Sequence, residues 1–222
     1  MLQKDERSQP GPLETFTLQT TNKITLDLLV LRYMAQKMRA HVLSLDESAA
    51  LPSIEYASER RNRTHRMVVY KRQETLRGRG LTFVGFISGV QEQVSLATIQ
   101  ELHRVDKILV EELAGNPGLL TYSSLEVSKG RWFNLVLLRD DLAHAYFRQN
   151  STHRYAALQL ATYYYAWIRL HNGVLPCGLP GFTGLSGSVE PVCDEIVIRS
   201  TRYFTFPEMG QKPIIWQVAR DR

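Results

Sequence analysis

The chain has 222 residues, of which 44% are hydrophobic and 22% are charged, and these proportions are ordinary for a globular protein with a sizeable core. Its formal net charge of +5 is modest, and two cysteines are too few for a disulfide-rich secreted scaffold. The first nine residues lack the apolar run of a signal peptide, and no segment is long and apolar enough to span a bilayer. We therefore expect a cytoplasmic protein without membrane contact. Cys177 and Cys193 are either bridged or free, and a reducing compartment favours free thiols.

The first 80 residues are predicted to form an extension of the main domain. Leu13 to Thr20 is rich in Thr and Phe, which favours a strand or an extended arm. Residues 25–45 carry apolar side chains at helical spacing and are predicted to form an amphipathic helix. Its apolar face must cover the rest of the chain or a partner subunit. Residues 46–65 are predicted to be irregular.

Residues 60–79 are the most basic part of the chain and surround a short predicted strand at Met67–Tyr70. Such a segment is either a solvated hairpin and loop or a surface that contacts an anionic ligand or nucleic acid. Only Tyr70 places an aromatic ring among the charges, and no nucleic-acid-binding motif is present. We favour the solvated hairpin and do not expect a nucleic-acid partner.

From Leu81 onwards the predicted elements follow the order strand, helix, strand, strand, helix, strand. The predicted strands are 81–88, 119–127, 132–138 and 195–206, and the predicted helices are 95–113, 140–147 and 152–170. Gly85 marks a bend or a close approach to the backbone of the first strand. This order predicts an α+β fold of the ferredoxin-like βαββαβ type, with an antiparallel sheet and its helices on one face.

The second face of such a sheet would carry Phe, Trp and Val side chains, and its exposure to water is unfavourable. Pairing of two sheets face to face across a dimer axis would bury it, so we predict a homodimeric α+β barrel. The expected divisions are an extension at 1–80, the barrel domain at 81–206 and a tail at 207–222 whose Ile214–Trp216 segment docks elsewhere. The Gly- and Pro-rich stretch 172–194 is predicted to be a lid or an arm that reaches a neighbour.

The second half of the chain resembles the antibiotic-biosynthesis-monooxygenase type of dimeric α+β barrel. The resemblance lies in the strand at 132–138, the helix from Asp140 to Phe147, the break after it, and Ser151-Thr152-His153 before an alanine-containing helix. It covers residues 81–206 and implies a cleft between sheet and helices that holds a planar, often aromatic ligand.

His153 matches the position from which a histidine faces that cleft in many members. Haem-degrading members have a Trp just after the third strand, where this chain has Leu138-Arg139, and this departure counts against haem cleavage.

His153 and Asn134 are the candidate catalytic residues. His153 is a potential general base, hydrogen-bond donor or haem ligand, and the alternative is a solvent-capped histidine at a helix start. Asn134 is the one polar residue inside its predicted strand, so it must be hydrogen-bonded or face a cavity. The other residues predicted to line the cleft are Trp132, Phe83, Phe86, Glu126, Tyr164 and Arg169.

The sequence also predicts interactions for two polar residues at the end of the predicted 152–170 helix. Arg169 lies among apolar neighbours and needs either an anionic ligand or a carboxylate partner, for which Glu126 and Asp106 are the candidates. His171 is predicted to interact with the helix dipole, beside Gly173 as the C-terminal cap.

The favoured function is a small-molecule-binding enzyme, namely a cofactor-independent oxygenase or isomerase that acts on an aromatic or polyketide-like substrate. The alternatives are a non-catalytic ligand- or haem-binding protein on the same scaffold, and an interaction protein that uses segment 60–79. The sequence contains no phosphate-binding glycine loop, nucleophile elbow or paired-histidine metal motif. We therefore expect no resident metal or cofactor, with haem as the alternative, and catalysis itself is left open.

Overall fold

The computed structural model describes residues 12–179, 195–207 and 210–219. The strands are Ser53–Glu59 (β1), Arg63–Val69 (β2), Leu81–Val90 (β3), Leu119–Ser128 (β4), Arg131–Leu138 (β5), Tyr165–Leu175 (β6), Val197–Thr205 (β7) and Ile214–Ala219 (β8). The helices are Pro12–Ser44 (α1), Arg72–Arg77 (α2), Leu96–Leu113 (α3), Asp141–Gln149 (α4), Ser151–Tyr155 (α5) and Ala161–Tyr164 (α6), with a π-helical turn at Ala156–Leu160.

All eight strands form one antiparallel sheet in the order β1-β2-β4-β5-β3-β6-β7-β8. The predicted α+β class and the antiparallel sheet are therefore confirmed. The strands predicted at 81–88, 119–127, 132–138 and 195–206 and the helix at 95–113 are all present, with small changes at their ends.

Local sequence signals explain several of these boundaries. The Ser95 side chain accepts a hydrogen bond from the backbone N–H of Thr98 and caps α3, and Asn150 caps α5 in the same way through the N–H of His153. Gly130 takes a left-handed φ of 70° in the turn between β4 and β5.

The predicted helix at 152–170 is wrong in its last six residues, 165–170. Helical structure ends at Tyr164, and β6 then pairs with β3 and β7. From Arg169 to Leu175, buried side chains alternate with half-buried ones, which is the period of a strand. The run of aromatic and β-branched residues that begins at Tyr163 favours a strand for the same reason.

The N-terminal region is also more ordered than predicted. Helix α1 already begins at Pro12, so the strand or arm predicted at Leu13–Thr20 is wrong. Strand β1 replaces part of the irregular segment predicted at 46–65, and α2 was not predicted. Because β2 pairs with β4, the extension contributes two strands to the same sheet as residues 81–206.

One face of the sheet is covered by α1. The buried residues of this layer include Leu31, Met34, Met38, Phe83, Phe133 and Leu175. A Cβ atom at Gly85 would lie 2.7 Å from Cδ1 of Leu31, so the close approach predicted at Gly85 is confirmed and its cause is α1. The face that we expected a second copy to cover is therefore covered by this chain's own helix.

The opposite face carries α3 and the helical segment from α4 to α6. A second core cluster joins α3 and α4 to the sheet through residues such as Leu113, Ala143, Val68 and Leu138. None of the described helices is long and apolar enough to cross a membrane.

The segment predicted as a lid or arm is only partly described. Residues 172–175 belong to β6 and are not a loop, while residues 180–194 lie outside the described part of the chain. Cys177 is disulfide-bonded, so the free thiol expected there is wrong. Cys193 lies outside the described residues.

Candidate functional site

The two faces of the sheet differ in how tightly they are closed. Beneath α1, the side chains of Phe83, Ile87 and Leu137 are 0% exposed. On the opposite face Val68 and Leu138 are also 0% exposed, but other side chains of the central strands are only half-buried, Phe86 and Asn134 among them. We define the α3-side cleft by six half-buried residues on this face: Arg66, Phe86, Tyr122, Trp132, Asn134 and Tyr165.

A chain of hydrogen bonds crosses the α3-side cleft. Asp106 on α3 accepts two hydrogen bonds from Arg66, at 2.5 and 2.7 Å. Arg66 Nη2 also donates to the Tyr122 oxygen at 3.3 Å, with the guanidinium 5.1 Å from the centre of the Tyr122 ring. The Tyr122 hydroxyl in turn donates to Oδ1 of Asn134 at 2.9 Å.

The protonation states of this chain are fixed by its surroundings. Burial raises the pKa of Tyr122, so its hydroxyl keeps the proton that it donates to Asn134. Burial alone would lower the pKa of Arg66, but the hydrogen bond to Asp106 and the interactions with Tyr122 and the Asp106 charge together outweigh it and raise the pKa. Arg66 therefore stays cationic and polarises the bonds that follow it.

Asn134 is the end of the chain and the group available to a ligand. Its carbonyl oxygen is occupied by Tyr122, while its amide N–H groups have no acceptor among the described residues. An amide in this orientation can donate to a carbonyl, enolate or phenolate oxygen.

Aromatic rings line the cleft next to Asn134. Phe86 lies directly opposite Asn134 on β3, and its ring meets that of Tyr165 edge-on at 5.4 Å. Tyr164 packs against Tyr165 at 4.9 Å. Trp132 lies on β5 two residues before Asn134, on the same face of the sheet. This combination of flat apolar surfaces and one free donor is typical of sites for planar ligands.

The helical layer above this face has two unusual features. A shallow depression of about 290 Å³ lies between α3 and α5, lined by Arg104, Val105, Ile108, Ser151, Thr152 and Tyr155. The covering helix is also interrupted by the π-helical turn between α5 and α6. Such turns are uncommon and often occur at functional sites.

His153 lies on α5, where its backbone N–H donates to Asn150. Burial, and to a lesser degree the neighbouring charge of His144, lower its pKa to about 4, so the ring is neutral at pH 7. His153 lies on α5 and Asn134 on β5, so the two predicted catalytic residues come from different elements.

Two of the predicted cleft residues lie on the α1 side, and a third has a local role. Phe83 is fully buried beneath α1, and Arg169 points to the same face. Glu126 is on the α3 side, but its carboxylate accepts a hydrogen bond from the backbone N–H of Gly130 and closes the β4–β5 turn. Trp132, Asn134, Phe86 and Tyr164 are the predicted residues that the structure brings together.

The carboxylate partner of Arg169 is Asp27, and the predicted partners Glu126 and Asp106 are wrong. Arg169 donates two hydrogen bonds of 2.7 Å to Asp27, which is also 3.0 Å from Nε2 of His171. Nδ1 of His171 lies 2.8 Å from the hydroxyl of Thr201. The predicted capping role of His171 is therefore also wrong, because the residue lies within β6.

This network anchors α1 to the sheet. Burial alone would raise the pKa of Asp27, but hydrogen bonds from His171 and Arg169 outweigh it and hold the pKa below its usual value. Asp27 and His171 are 0% exposed, so the network is closed to solutes.

A second buried network joins α1 to β1, β2 and β4. Nε2 of His65 lies 2.7 Å from the Ser123 hydroxyl, Nδ1 lies 3.2 Å from Glu59, and Tyr33 donates to Glu59 at 2.5 Å. The order Ser, His, Glu is that of a hydrolase triad. Since Ser123 and His65 are 0% exposed beneath α1, a substrate has no access, and we assign the network a structural role.

The sequence did not indicate these networks or the partners of Asn134. Arg66, Asp106 and Tyr122 come from three elements, and 40 to 56 residues separate Arg66 from the other two. The contacts depend on the pairing of β2 with β4, which no local pattern predicts.

Basic segment 60–79 is divided between separate environments. Arg66 is paired with Asp106, Lys71 with Glu74, and Arg72 with Glu47. Among the described residues, no group of three or more His, Cys, Asp or Glu side chains is arranged to hold a metal ion.

No protein-family model, curated protein or solved structure matches this chain. The resemblance to the antibiotic-biosynthesis-monooxygenase type therefore stays a prediction that rests on element order.

Proposed function

We propose that the chain binds a small planar, aromatic or polyketide-like molecule in the α3-side cleft. The observation that carries the proposal is the hydrogen-bond chain from Asp106 through Arg66 and Tyr122, which ends at the free amide of Asn134 among aromatic rings. A ring oxygen of the ligand would accept from Asn134, while Phe86 and Trp132 contact the faces and edges of the ring.

The strand order supports a ferredoxin-like core for this site. Strands β4, β5, β3 and β6 are neighbours in that order, and α3 and the α4–α6 segment connect them along the chain. This is the order that a βαββαβ unit adopts. Under this proposal the unit ends at Leu175, and β7 and β8 extend it.

The chemistry most compatible with the cleft is that of a cofactor-independent oxygenase or isomerase. Proton removal from a ring carbon beside a carbonyl places negative charge on the carbonyl oxygen. A donor that is already oriented, such as the Asn134 amide, stabilises that charge without reorganisation. His153, whose ring is neutral at pH 7, is the proposed proton acceptor.

The first test is ligand binding by an Asn134→Ala variant. With 1,8-dihydroxyanthraquinone as the probe, we expect quenching of tryptophan fluorescence in the unaltered protein and at least tenfold weaker binding in the variant, or about 1.4 kcal/mol. Tyr122→Phe should weaken binding in the same direction, because it releases the Asn134 carbonyl.

Asn172→Ala is the matched control, since Asn172 is a half-buried asparagine on the same face of β6. Equal affinities for all three variants and the unaltered protein would contradict the proposal. Turnover is tested separately with His153→Ala, which should abolish conversion of a bound substrate and leave its affinity within threefold.

The haem-binding alternative has less support. The depression between α3 and α5 is about 290 Å³, just below the roughly 300–1,000 Å³ typical of ligand pockets, and His153, the candidate axial ligand, is not among its lining residues. An absorbance band in the Soret region after addition of haemin, lost in His153→Ala, is the result that would favour it.

The expected homodimer is proposed to form through β8. This edge strand contains no charged residue, and Ile214, Ile215 and Trp216 are 49–61% exposed. The opposite edge, β1, carries Glu55 and Glu59, and charges of this kind discourage strand pairing. Two copies of β8 can pair antiparallel about a two-fold axis, which makes one continuous sheet.

A further inference from the structure

Two arginines near one end of the sheet each have a buried N–H group without an acceptor. Arg63 lies on β2 next to the β1–β2 turn, and Arg131 lies on β5 next to the β4–β5 turn. Nη1 of Arg63 and Nε of Arg131 are fully buried and make no hydrogen bond with any described residue. Buried donors are nearly always paired, so two such groups near each other call for a missing acceptor.

The carboxylates close to these arginines are already occupied. Glu59 lies directly opposite Arg63 in the β1–β2 pair, but its two oxygens accept from Tyr33 and bond His65. Asp27 lies 4.0 Å from Arg131, but it holds both Arg169 and His171. Arg131 therefore keeps only a long ion pair with Asp27, and both oxygens of Glu59 are occupied by partners other than Arg63.

The strand pairing brings Arg63 and Arg131 to the same place. Both side chains belong to the α1 face, and β4 is the single strand between theirs. Two strand spacings are about 10 Å, which is within the combined reach of two arginine side chains. The residue of β4 between them, Val127, is apolar and offers no acceptor.

Neighbouring side chains restrict Arg131. The Trp167 indole lies flat over Gly89, where a Cβ atom would be 2.3 Å from Nε1 of Trp167. Arg131 lies over this indole at 6.0 Å and over the Phe133 ring at 5.7 Å, and 34% of its side chain is exposed. Arg169 lies closer to the same indole, at 4.6 Å, so Arg131 contacts the edges of this aromatic group and stays open on one side, which suits a bidentate contact with an anion.

We propose that Arg63 and Arg131 form a binding site for a tetrahedral oxyanion, such as a phosphate group on a small molecule. The exposed residues Arg60, Arg61 and Lys129 on the two adjacent turns add positive charge at its entrance. The site is on the α1 side of the sheet, so it is independent of the α3-side cleft and of the function proposed for that cleft.

The test is thermal unfolding of the full chain with inorganic pyrophosphate as the probe, at constant ionic strength set with sodium chloride. We expect pyrophosphate to raise the midpoint temperature in a saturable manner, with at least tenfold weaker apparent affinity in Arg63→Gln and in Arg131→Gln. Arg79→Gln removes an exposed arginine from the other end of the sheet and should bind as the unaltered protein does.

A second variant and a second probe make the test decisive. If a glutamine variant fails to fold, Arg131→Lys retains the charge, and its affinity should still fall because a lysine cannot make the bidentate contact. A mixed-sequence oligonucleotide distinguishes the source of the phosphate. Binding of the oligonucleotide without binding of pyrophosphate, or equal stabilisation of Arg79→Gln and the two glutamine variants, would overturn the proposal.

Discussion

Single residues beneath α1 are expected to control stability, and Asp27 is the most sensitive of them. Its carboxylate is fully buried and holds both Arg169 and His171. Asp27→Ala leaves a buried guanidinium without its counter-ion, and loss of one partner of such a pair typically lowers the free energy of unfolding by about 3–5 kcal/mol. Urea unfolding followed by circular dichroism measures this change. Glu92→Ala, at an exposed residue, is the control and should alter stability by less than about 0.5 kcal/mol.

The residues predicted to line the cleft lie on different faces of the sheet, as the two-residue period of a strand requires. Asn134 and Trp132 are two residues apart on β5 and share the α3-side face, as an alternating pattern requires. Phe83 and Phe86 are three residues apart on β3, so they point to opposite faces and cannot both line one cleft. The alternation could have excluded Phe83 from the sequence alone. The hydrogen-bond chain that orients Asn134 could not have been found, because it depends on the β2–β4 register.

Among the secondary-structure elements, the boundary between α6 and β6 is the place where the hydrophobic pattern gave the wrong prediction. His153, Leu160, Tyr164, Trp167 and His171 share one azimuth on an ideal helix, which favoured a helix to Leu170. Trp167, Arg169 and His171 are also spaced two residues apart, which is the period of a strand. Residues 165–175 form a strand because they pair with β3 and β7. Tertiary pairing therefore overrides a local pattern that is compatible with both structures.

Buried titratable groups beneath α1 and on α5 should make stability depend on pH at both extremes. Burial lowers the pKa values of His65 and His153, to about 4 for His153, so the unfolded chain takes up protons near pH 6.5 that the folded chain does not. Stability should therefore fall below pH 6.5. Asp27 and Glu59 have lowered pKa values because hydrogen bonds outweigh burial, and their stabilisation is present above about pH 4 and lost below it.

At alkaline pH the stability is expected to fall as the pH rises. Burial, and then the bond to Glu59, raise the pKa of Tyr33 from 10.0 to about 12, so stability should fall between these values as the unfolded chain ionises first. We expect a plateau of melting temperature between about pH 7 and 9. His153→Gln should flatten the decline between pH 6.5 and 4, and His103→Gln, at an exposed histidine, should not. A decline that is identical in both variants would contradict this assignment.

For the whole molecule, the sequence identified the class of the fold but not how its layers are covered. The strands from 81 onwards and α3 follow from hydrophobic patterns and caps, and the antiparallel sheet follows from their order. The role of α1 did not follow, because an apolar helix face is equally compatible with the chain's own sheet and with a partner. The bonded Cys177 is likewise a product of the fold, and disulfides are typical of oxidising compartments, whereas we had expected a cytoplasmic protein.

Because α1 closes the sheet face that we first assigned to the dimer, the proposed dimer needs another surface, and β8 is the one that we propose. We expect the full chain to sediment at twice its mass of 25.4 kDa. Ile215 is 58% exposed on this edge, so Ile215→Lys should leave the fold intact and produce a monomer, since a lysine on an edge strand opposes pairing. Tyr56→Lys makes the same change on β1, where Tyr56 is 65% exposed, and should leave the dimer in place. A monomeric unaltered protein, or a dimer that survives Ile215→Lys, would show that β8 is not the interface.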